Sequence, residues 1–321
     1  IHQYVPLDVP RYVERFLEHW RPNLAIFTES DIWPNLVLTA ARRGVPLVLV
    51  NARMSPRSQR RWRKFGKFGR PLFSRFSAVL AQNADIARTI KRLGAPNVIV
   101  AGNLKMDAPP PPVDREKFDA LKAALGNRPV LFAASTHQGE EPIVAAAHAL
   151  LAKDLPTLLT IIAPRHPDRG GGIAATLGGL GLKVELRSRT PVPDANAEIY
   201  VADTIGELGT FYALSKLAVV GGSLVEHGGQ NPVEAIRHGT VVLTGPHTHN
   251  FRDVYAALLR DRGAIEVRSS DDLARVALQL LTTPADLERA AGAAQKTVDD
   301  LGGALAKTLG AIQPLLEKDR K

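Results

Sequence analysis

The sequence predicts an α/β protein made of two domains, each a parallel sheet flanked by helices. Three observations predict it. Short apolar runs alternate with helical stretches from Leu24 onward, a run of four prolines interrupts that alternation near residue 110, and the alternation then restarts. At 321 residues and 45% hydrophobic content, the chain is long enough for two buried cores and too apolar for global disorder.

In the first half the apolar runs are LAIFT (24–28), PLVLV (46–50), SAVLA (77–81) and VIVA (98–101), with helices expected near 32–42 and 85–93. A doubly wound domain usually has more than these three or four strands, so one or two βα units of about 30 residues each are expected in front of Ile1. Pro109–Pro112 can continue neither a helix nor a central strand. The stretch 106–115 is therefore read as a linker between a first domain at 1–105 and a second at 116–321.

The second half supplies PVLFAAS (129–135), TLLTIIAP (157–164), LKVEL (182–186), EIYVAD (198–203), LAVVGGS (217–223), TVVLTG (240–245) and AIEV (264–267). Helices are expected at 140–151, 205–214, after Asn231, at 251–262 and from Asp271 to the end, all within the second domain. Two such units facing one another across a cleft describe a GT-B architecture. No G-x-G-x-x-G follows any strand, which leaves a dinucleotide enzyme without support.

Composition narrows the chemistry. Without cysteine there is no disulfide framework, thiolate metal site or thiol nucleophile. Forty-one Lys and Arg against 32 Asp and Glu, a formal charge of +9, favour acidic partners such as nucleotides, phosphorylated lipids or nucleic acid. No apolar run reaches the 18 or so residues a spanning helix needs, and the first residue is Ile1 with no leader in front of it, so the sequence reads as starting inside a longer protein.

In open α/β sheets, ligands sit beyond the carboxyl ends of the strands. Ser135 and Thr136 leave one strand there; Ser135 and Gln138 could equally form a capping box for the next helix. Arg165 ends another strand with a planar charged fork suited to phosphate, and His166 follows it. Gly221-Gly222-Ser223 and Gly228-Gly229-Gln230-Asn231-Pro232-Val233-Glu234 let backbone approach a ligand, with Asn231 as an N-cap before Pro232. Glu234 suits either the two hydroxyls of a ribose or the return half of a capping box. In the first half Glu29 ends a strand, with Ser30 or Asp31 available to cap the next helix. No D-x-D and no metal-ligand spacing occurs. Finally Arg57, Arg60, Arg61, Arg63, Lys64, Lys67 and Arg70 stand together with Trp62, Phe65 and Phe68 and no acidic residue, a pattern that suits nucleic acid or an anionic membrane interface, with a phosphorylated ligand favoured over a merely solvated helix face.

TESDIWPN, NARMS (51–55), STHQGEE, APRHP, GGSL, GGQNPVEA and GPHTHNF (245–251) occur in an order and spacing that resembles the Kdo (3-deoxy-D-manno-octulosonic acid) transferases of lipid A and lipopolysaccharide synthesis. The resemblance covers nearly the whole chain. It implies an inverting, metal-independent GT-B glycosyltransferase with no cofactor. Such an enzyme moves Kdo from CMP-Kdo to a lipid A precursor at the cytoplasmic face of the bacterial inner membrane, with no nucleic-acid partner. By position, Arg165, Gly222, Ser223, Asn231 and Glu234 would contact CMP, and Glu29 would be an active-site acid. The resemblance also places a membrane anchor and the proposed general base before Ile1. His249 stands where the family would be expected to carry an aromatic residue, usually Phe. Two other readings remain open on the residues alone: a GT-B transferase or epimerase using a UDP-sugar, and an RNA- or anionic-lipid-binding module driven by the basic stretch.

Overall fold

The computed structural model describes residues 1–64 and 66–317, with residues 56, 63, 66 and 68 described in backbone only. Phe65 and the side chains of Arg63 and Phe68 therefore lie outside the described residues. The chain divides into two compact units, Ile1–Ala108 with the segment from Leu301, and Pro109–Asp300.

The first unit runs α1 (Pro10–Trp20), β1 (Ala25–Thr28), α2 (Pro34–Arg42), β2 (Leu47–Ala52), α3 (Pro56–Lys64), α4 (Gly66–Phe73), β3 (Ala78–Ala81), α5 (Ala84–Arg92) and β4 (Val98–Val100). Its sheet is parallel in the order β1-β2-β3-β4. Period-two alternation divides each central strand between two cores. Leu47, Leu49 and Val79 pack with Val13, Val37, Phe73 and Ile90, while Val48, Val50, Ala78 and Leu80 turn to the other face. Helix α1 was not foreseen. Neither Ser30 nor Asp31 caps α2; the carboxylate of Asp8 does, accepting from the amides of Asn35 (3.0 Å) and Leu36 (2.9 Å). Pro34 at the first turn has no amide to offer.

The second unit runs α6 (Arg115–Leu125), β5 (Val130–Thr136), α7 (Glu140–Leu151), β6 (Leu159–Pro164), α8 (Gly170–Gly178), β7 (Val184–Leu186), β8 (Ile199–Val201), α9 (Leu208–Leu214), β9 (Leu217–Val220), α10 (Val233–Ile236), β10 (Val241–Thr244), α11 (Arg252–Arg260), β11 (Ala264–Glu266), α12 (Ser270–Thr282) and α13 (Pro284–Asp300). Its seven strands are parallel in the order β11-β10-β9-β5-β6-β8-β7. Leu131, Ala133, Ile162 and Val219 form one core with α7, α8 and α12. Phe132 faces the opposite way, against Phe211 and Tyr212. Helix α9 begins at Leu208 rather than 205, because Gly206 sits at φ 85° and the carboxylate of Glu207 turns away to Arg187.

Two sequence expectations need correcting here. The last helix, α14 (Ala304–Glu317), belongs to the first unit, whereas the sequence reading kept all C-terminal helices with the second. The reason is the second face of the first sheet. Ile312 covers Val48, Val50, Ala78 and Leu80, and the Asp107 carboxylate caps the start of the helix through the amides of Gly303 and Leu305. The prolines at 109–112, read as part of a linker outside both domains, are fastened to the second unit. The Pro111 carbonyl accepts from His238 Nε2 at 2.9 Å, and a Cβ on Gly209 would stand 2.4 Å from the Pro112 oxygen.

Candidate functional site

In the second unit the strand order reverses between β5 and β9. Chain leaving β5 goes by way of α7 to β6, and chain leaving β9 goes the other way to β10. Such a switch point is where an open parallel sheet takes a ligand. Here the two loops are drawn tightly together: a Cβ on Gly221 would lie 2.4 Å from the Ser135 carbonyl oxygen. Ser135 itself is held in the left-handed region at φ 56°, a conformation that costs free energy and is concentrated at functional sites.

The residue that joins the loops is Glu140, the first of α7 and fully buried. Its Oε2 accepts from the amides of His137 (2.8 Å) and Gly222 (2.7 Å), and its Oε1 from those of Ser223 (3.1 Å) and Leu224 (3.0 Å). Four main-chain donors thus converge on one carboxylate. The expected capping box of Ser135 and Gln138 does not form, since Gly139 at φ 97° begins the helix without a side-chain cap. The hydroxyl of Thr136 is likewise spent, donating to Glu141 at 2.8 Å while Arg169 pairs with the same carboxylate at 2.9 Å. Ser223 is completely buried, its hydroxyl donating to the Val220 carbonyl and accepting from the Gly245 amide. The side chains of Thr136 and Ser223 and the amides of Gly222 and Ser223 are therefore engaged within the protein and build the loop.

What faces outward at this edge is cationic. Arg165 and His166 follow β6 and are exposed, Arg165 without an ion pair among the described residues. His137 stacks on His227 with ring centroids 3.6 Å apart and meets His166 edge-on at 6.4 Å. Burial, aided by the neighbouring His227, His166, Arg169 and Arg165, lowers the His137 pKa from its ordinary 6.5 to about 4.

Asn231 and Glu234 lie further along the same loop. Asn231 Oδ1 accepts from the Val233 amide at 3.2 Å and its Nδ2 donates to Glu234 Oε1 at 3.2 Å. Helix α10 starts at Val233 with Pro232 preceding it, one residue later than an Asn231 cap implied. Glu234 spends its bond on an amide side chain, not on a backbone donor, so the capping-box alternative is not realised. His249 and Asn250 close over Gly228, at φ 108°, where a Cβ would be 2.5 Å from His249 Nε2. Only glycine allows that approach.

In the first unit, Glu29 and Asn51 end β1 and β2, both left-handed at φ 52° and 51°. Lys105, just beyond β4, lies 3.2 Å from Glu29 Oε1; Asn51 Nδ2 is 3.5 Å from the same oxygen, and Asn51 Oδ1 accepts from the Leu104 amide. The sequence reading found Glu29 but missed Lys105, because a lone lysine in a loop carries no periodic or motif signal. The positive-φ position of Asn51 was equally invisible. Of the basic stretch, Arg57, Arg60, Arg61, Lys64, Lys67 and Arg70 are exposed on α3 and α4. Trp62 departs from the interfacial role: half-buried, it packs edge-on against Phe73 of the core at 5.3 Å.

Among the described residues no group of three or more His, Cys, Asp or Glu is arranged to hold a metal ion, and no helix is long and apolar enough to cross a membrane.

Two units, each with a parallel sheet, give the chain the fold shared by GT-B glycosyltransferases and related epimerases. A solved UDP-GlcNAc 2-epimerase from Neisseria meningitidis, bound to UDP-GlcNAc, shares this fold at a TM-score of 0.62 and 16% identity, over 95% of this chain and 80% of that one. Sequence comparison goes further. The family model of 3-deoxy-D-manno-octulosonic-acid transferase (kdotransferase) matches residues 1–108. A 3-deoxy-D-manno-octulosonic acid transferase of Haemophilus influenzae is 35% identical over 99% of this chain and 75% of its own length. The C-terminal CMP-Kdo binding domain of WaaA from Acinetobacter baumannii is similar at 30% identity and a TM-score of 0.55, covering 57% of this chain and 96% of that domain. The chain belongs to the 3-deoxy-D-manno-octulosonic acid transferases and is a glycosyltransferase.

Proposed function

We propose that the chain transfers Kdo from CMP-Kdo to a lipid A precursor with inversion at the anomeric carbon, at the cytoplasmic face of the bacterial inner membrane. The observation that carries this reading is the cationic edge at the β5/β9 switch point of a chain similar to a domain described as CMP-Kdo binding. In such a transfer the acceptor hydroxyl attacks from the face opposite the departing CMP. Its proton goes to a base as the bond from the anomeric carbon to the phosphate oxygen breaks, and CMP leaves with the electron pair. Positive charge must meet the leaving phosphate, and Arg165 supplies it here with His166 beside it. Ser135 contributes backbone at the same edge, and Asn231 and Glu234 receive the ribose. Glu29, held by Lys105 and Asn51, is the acidic group this reading assigns to the first unit.

Glu234→Ala should weaken CMP binding by about 1.5–3 kcal/mol, the range for losing a hydrogen bond to a charged group, in a chain that stays folded. Titration of CMP and UMP by calorimetry checks both this and the base preference. Unchanged CMP affinity would remove Glu234 from the ribose, and a preference for UMP would favour a UDP-sugar donor.

The exposed cations of α3 and α4 suit the phosphates of the acceptor and the membrane beneath it. Replacing Arg60, Arg61 and Lys64 together by Ser should weaken binding to anionic vesicles by about 1 kcal/mol per charge while leaving CMP affinity as it was. Vesicle co-sedimentation at two salt concentrations gives the answer. Equal binding by the triple variant would make this a solvated helix face.

A further inference from the structure

The switch point is less cationic than its residues suggest, because several of its charges and donors are already matched. Glu140 takes the amides of Gly222, Ser223 and Leu224, and Glu141 takes Arg169. Thus the amides of Gly222, Ser223 and Leu224 in the loop after β9 are not free to receive an anion, being held by the Glu140 carboxylate. What remains is Arg165, His166 and the stacked pair of His137 and His227. The pair rests on bare backbone: a Cβ on Gly222 would come within 3.2 Å of His137 Cδ2 and 3.3 Å of His227 Cδ2.

Two imidazolium rings stacked at 3.6 Å repel one another strongly unless an anion is present. The hydrogen bonding agrees with a neutral His137. Gln230 Nε2 stands 2.9 Å from His137 Nε2, so the amide donates to a ring nitrogen that carries no proton. If that nitrogen gains a proton, a half-turn of the Gln230 amide presents its oxygen instead and keeps the bond.

We propose that the His137–His227 stack is a proton-linked anion site, which takes one proton from solvent when a phosphate-bearing ligand settles beside it and returns that proton on release. This rests on the reading of the second unit as a nucleotide site. The other titratable and charged groups around His137 are His166, Arg165 and Arg169 after β6, Glu140 and Glu141 at the start of α7, and His227, with Glu226 its chain neighbour, in the loop after β9. Of these two carboxylates, Glu140 is engaged with amides and Glu141 with Arg169, so neither pairs directly with the ring, and an arriving anion is the partner that would offset a charge on it. The site would also distinguish substrate from product. A sugar phosphodiester carries one negative charge and the freed monoester up to two, so the imidazolium is favoured most as the leaving group departs.

The sign follows from linkage. His137 is held below its ordinary value of 6.5, so the free protein binds no proton there at neutral pH. If the complex does, affinity rises as pH falls, by about tenfold per pH unit between the free and bound values. The test is an imidazole 15N NMR titration of the 321-residue chain, alone and saturated with CMP or with cytidine. The expected result is a His137 midpoint raised by about two pH units or more with CMP and unmoved by cytidine, with no proton uptake by a folded His137→Gln variant in calorimetry across two buffers. If CMP binds and His137 stays neutral down to pH 6, or cytidine moves it equally, the proposal is overturned while the nucleotide reading stands. If CMP does not bind, the nucleotide reading fails, and a sulfate titration decides the anion site by itself. A raised midpoint with sulfate supports it and an unmoved one overturns it.

Discussion

Glu140→Ala is expected to destabilise the second unit by at least about 3 kcal/mol, since buried amides left without acceptors cost about 1–3 kcal/mol each. The donors at His137, Gly222, Ser223 and Leu224 would all lose their carboxylate, and Ser223 has no access to water that could replace it. The effect reaches the site as well, because those amides fix the turn on which His137 and His227 lie. Glu140→Gln should fall between wild type and alanine: it keeps one accepting oxygen but points an NH2 at donors. Urea unfolding followed by circular dichroism measures the loss, and CMP titration of the folded fraction measures its consequence. An alanine variant as stable as wild type would mean that these amides find other partners and that Glu140 does not organise the loop.

Arg187→Ala should cost about 3 kcal/mol, because removing one partner of a buried ion pair strands the other. Arg187 meets Glu207 through two hydrogen bonds, at 2.7 and 3.1 Å, with both side chains almost wholly buried. Burial alone would raise the Glu207 carboxyl, but hydrogen bonds from Arg187, Thr204 and Lys117 outweigh it and hold the value down to about 2. Lys117 remains at 3.0 Å in the variant, which keeps the loss below that of a fully stranded charge. The pH dependence follows from that depressed value. The pair's contribution is complete above the ordinary carboxylate value of 4.5 and is lost as pH falls through about 2. The difference in stability between wild type and variant should therefore be largest near neutrality and shrink on acidification. A difference that stays constant from pH 7 to pH 3 would show that the arginine acts through packing and not charge. The consequence for the site is local, since Glu207 ends the turn from which Ile205, 87% exposed, projects beyond β8.

Much of the architecture was legible because parallel strands are buried on both faces and read as short continuous apolar runs. LVLV in β2 and LTIIAP in β6 are buried at every position, and each was found at its place. Helix α7 was found with its bounds, since Gly139 and the two glutamates mark its start. Helix α1 was missed: its first turn has no acidic residue or side-chain cap, and only Val13 and Leu17 are buried along it. The membership of α14 was unreadable for a different reason. A helix's partner is chosen by which sheet face lacks cover, and that face exists only once the sheet has formed.

The site divides in the same way. Residue types and their local spacing single out the strand-end loops, the glycine pairs, Arg165, Glu234 and Glu29 as candidates, because those signals lie within a few residues of one another and occur in the order of one enzyme family. The tertiary structure alone decided which of these groups are free and which are consumed. Glu140 looked like a helix-start carboxylate and is the clamp of a loop 82 residues away. Ser223 looked like a ligand and is buried, and Lys105 carried no signal until folding set it beside Glu29. The physical reason is that hydrogen bonds and charge pairs are settled by distances of about 3 Å between groups far apart in the chain, which local residue patterns do not encode.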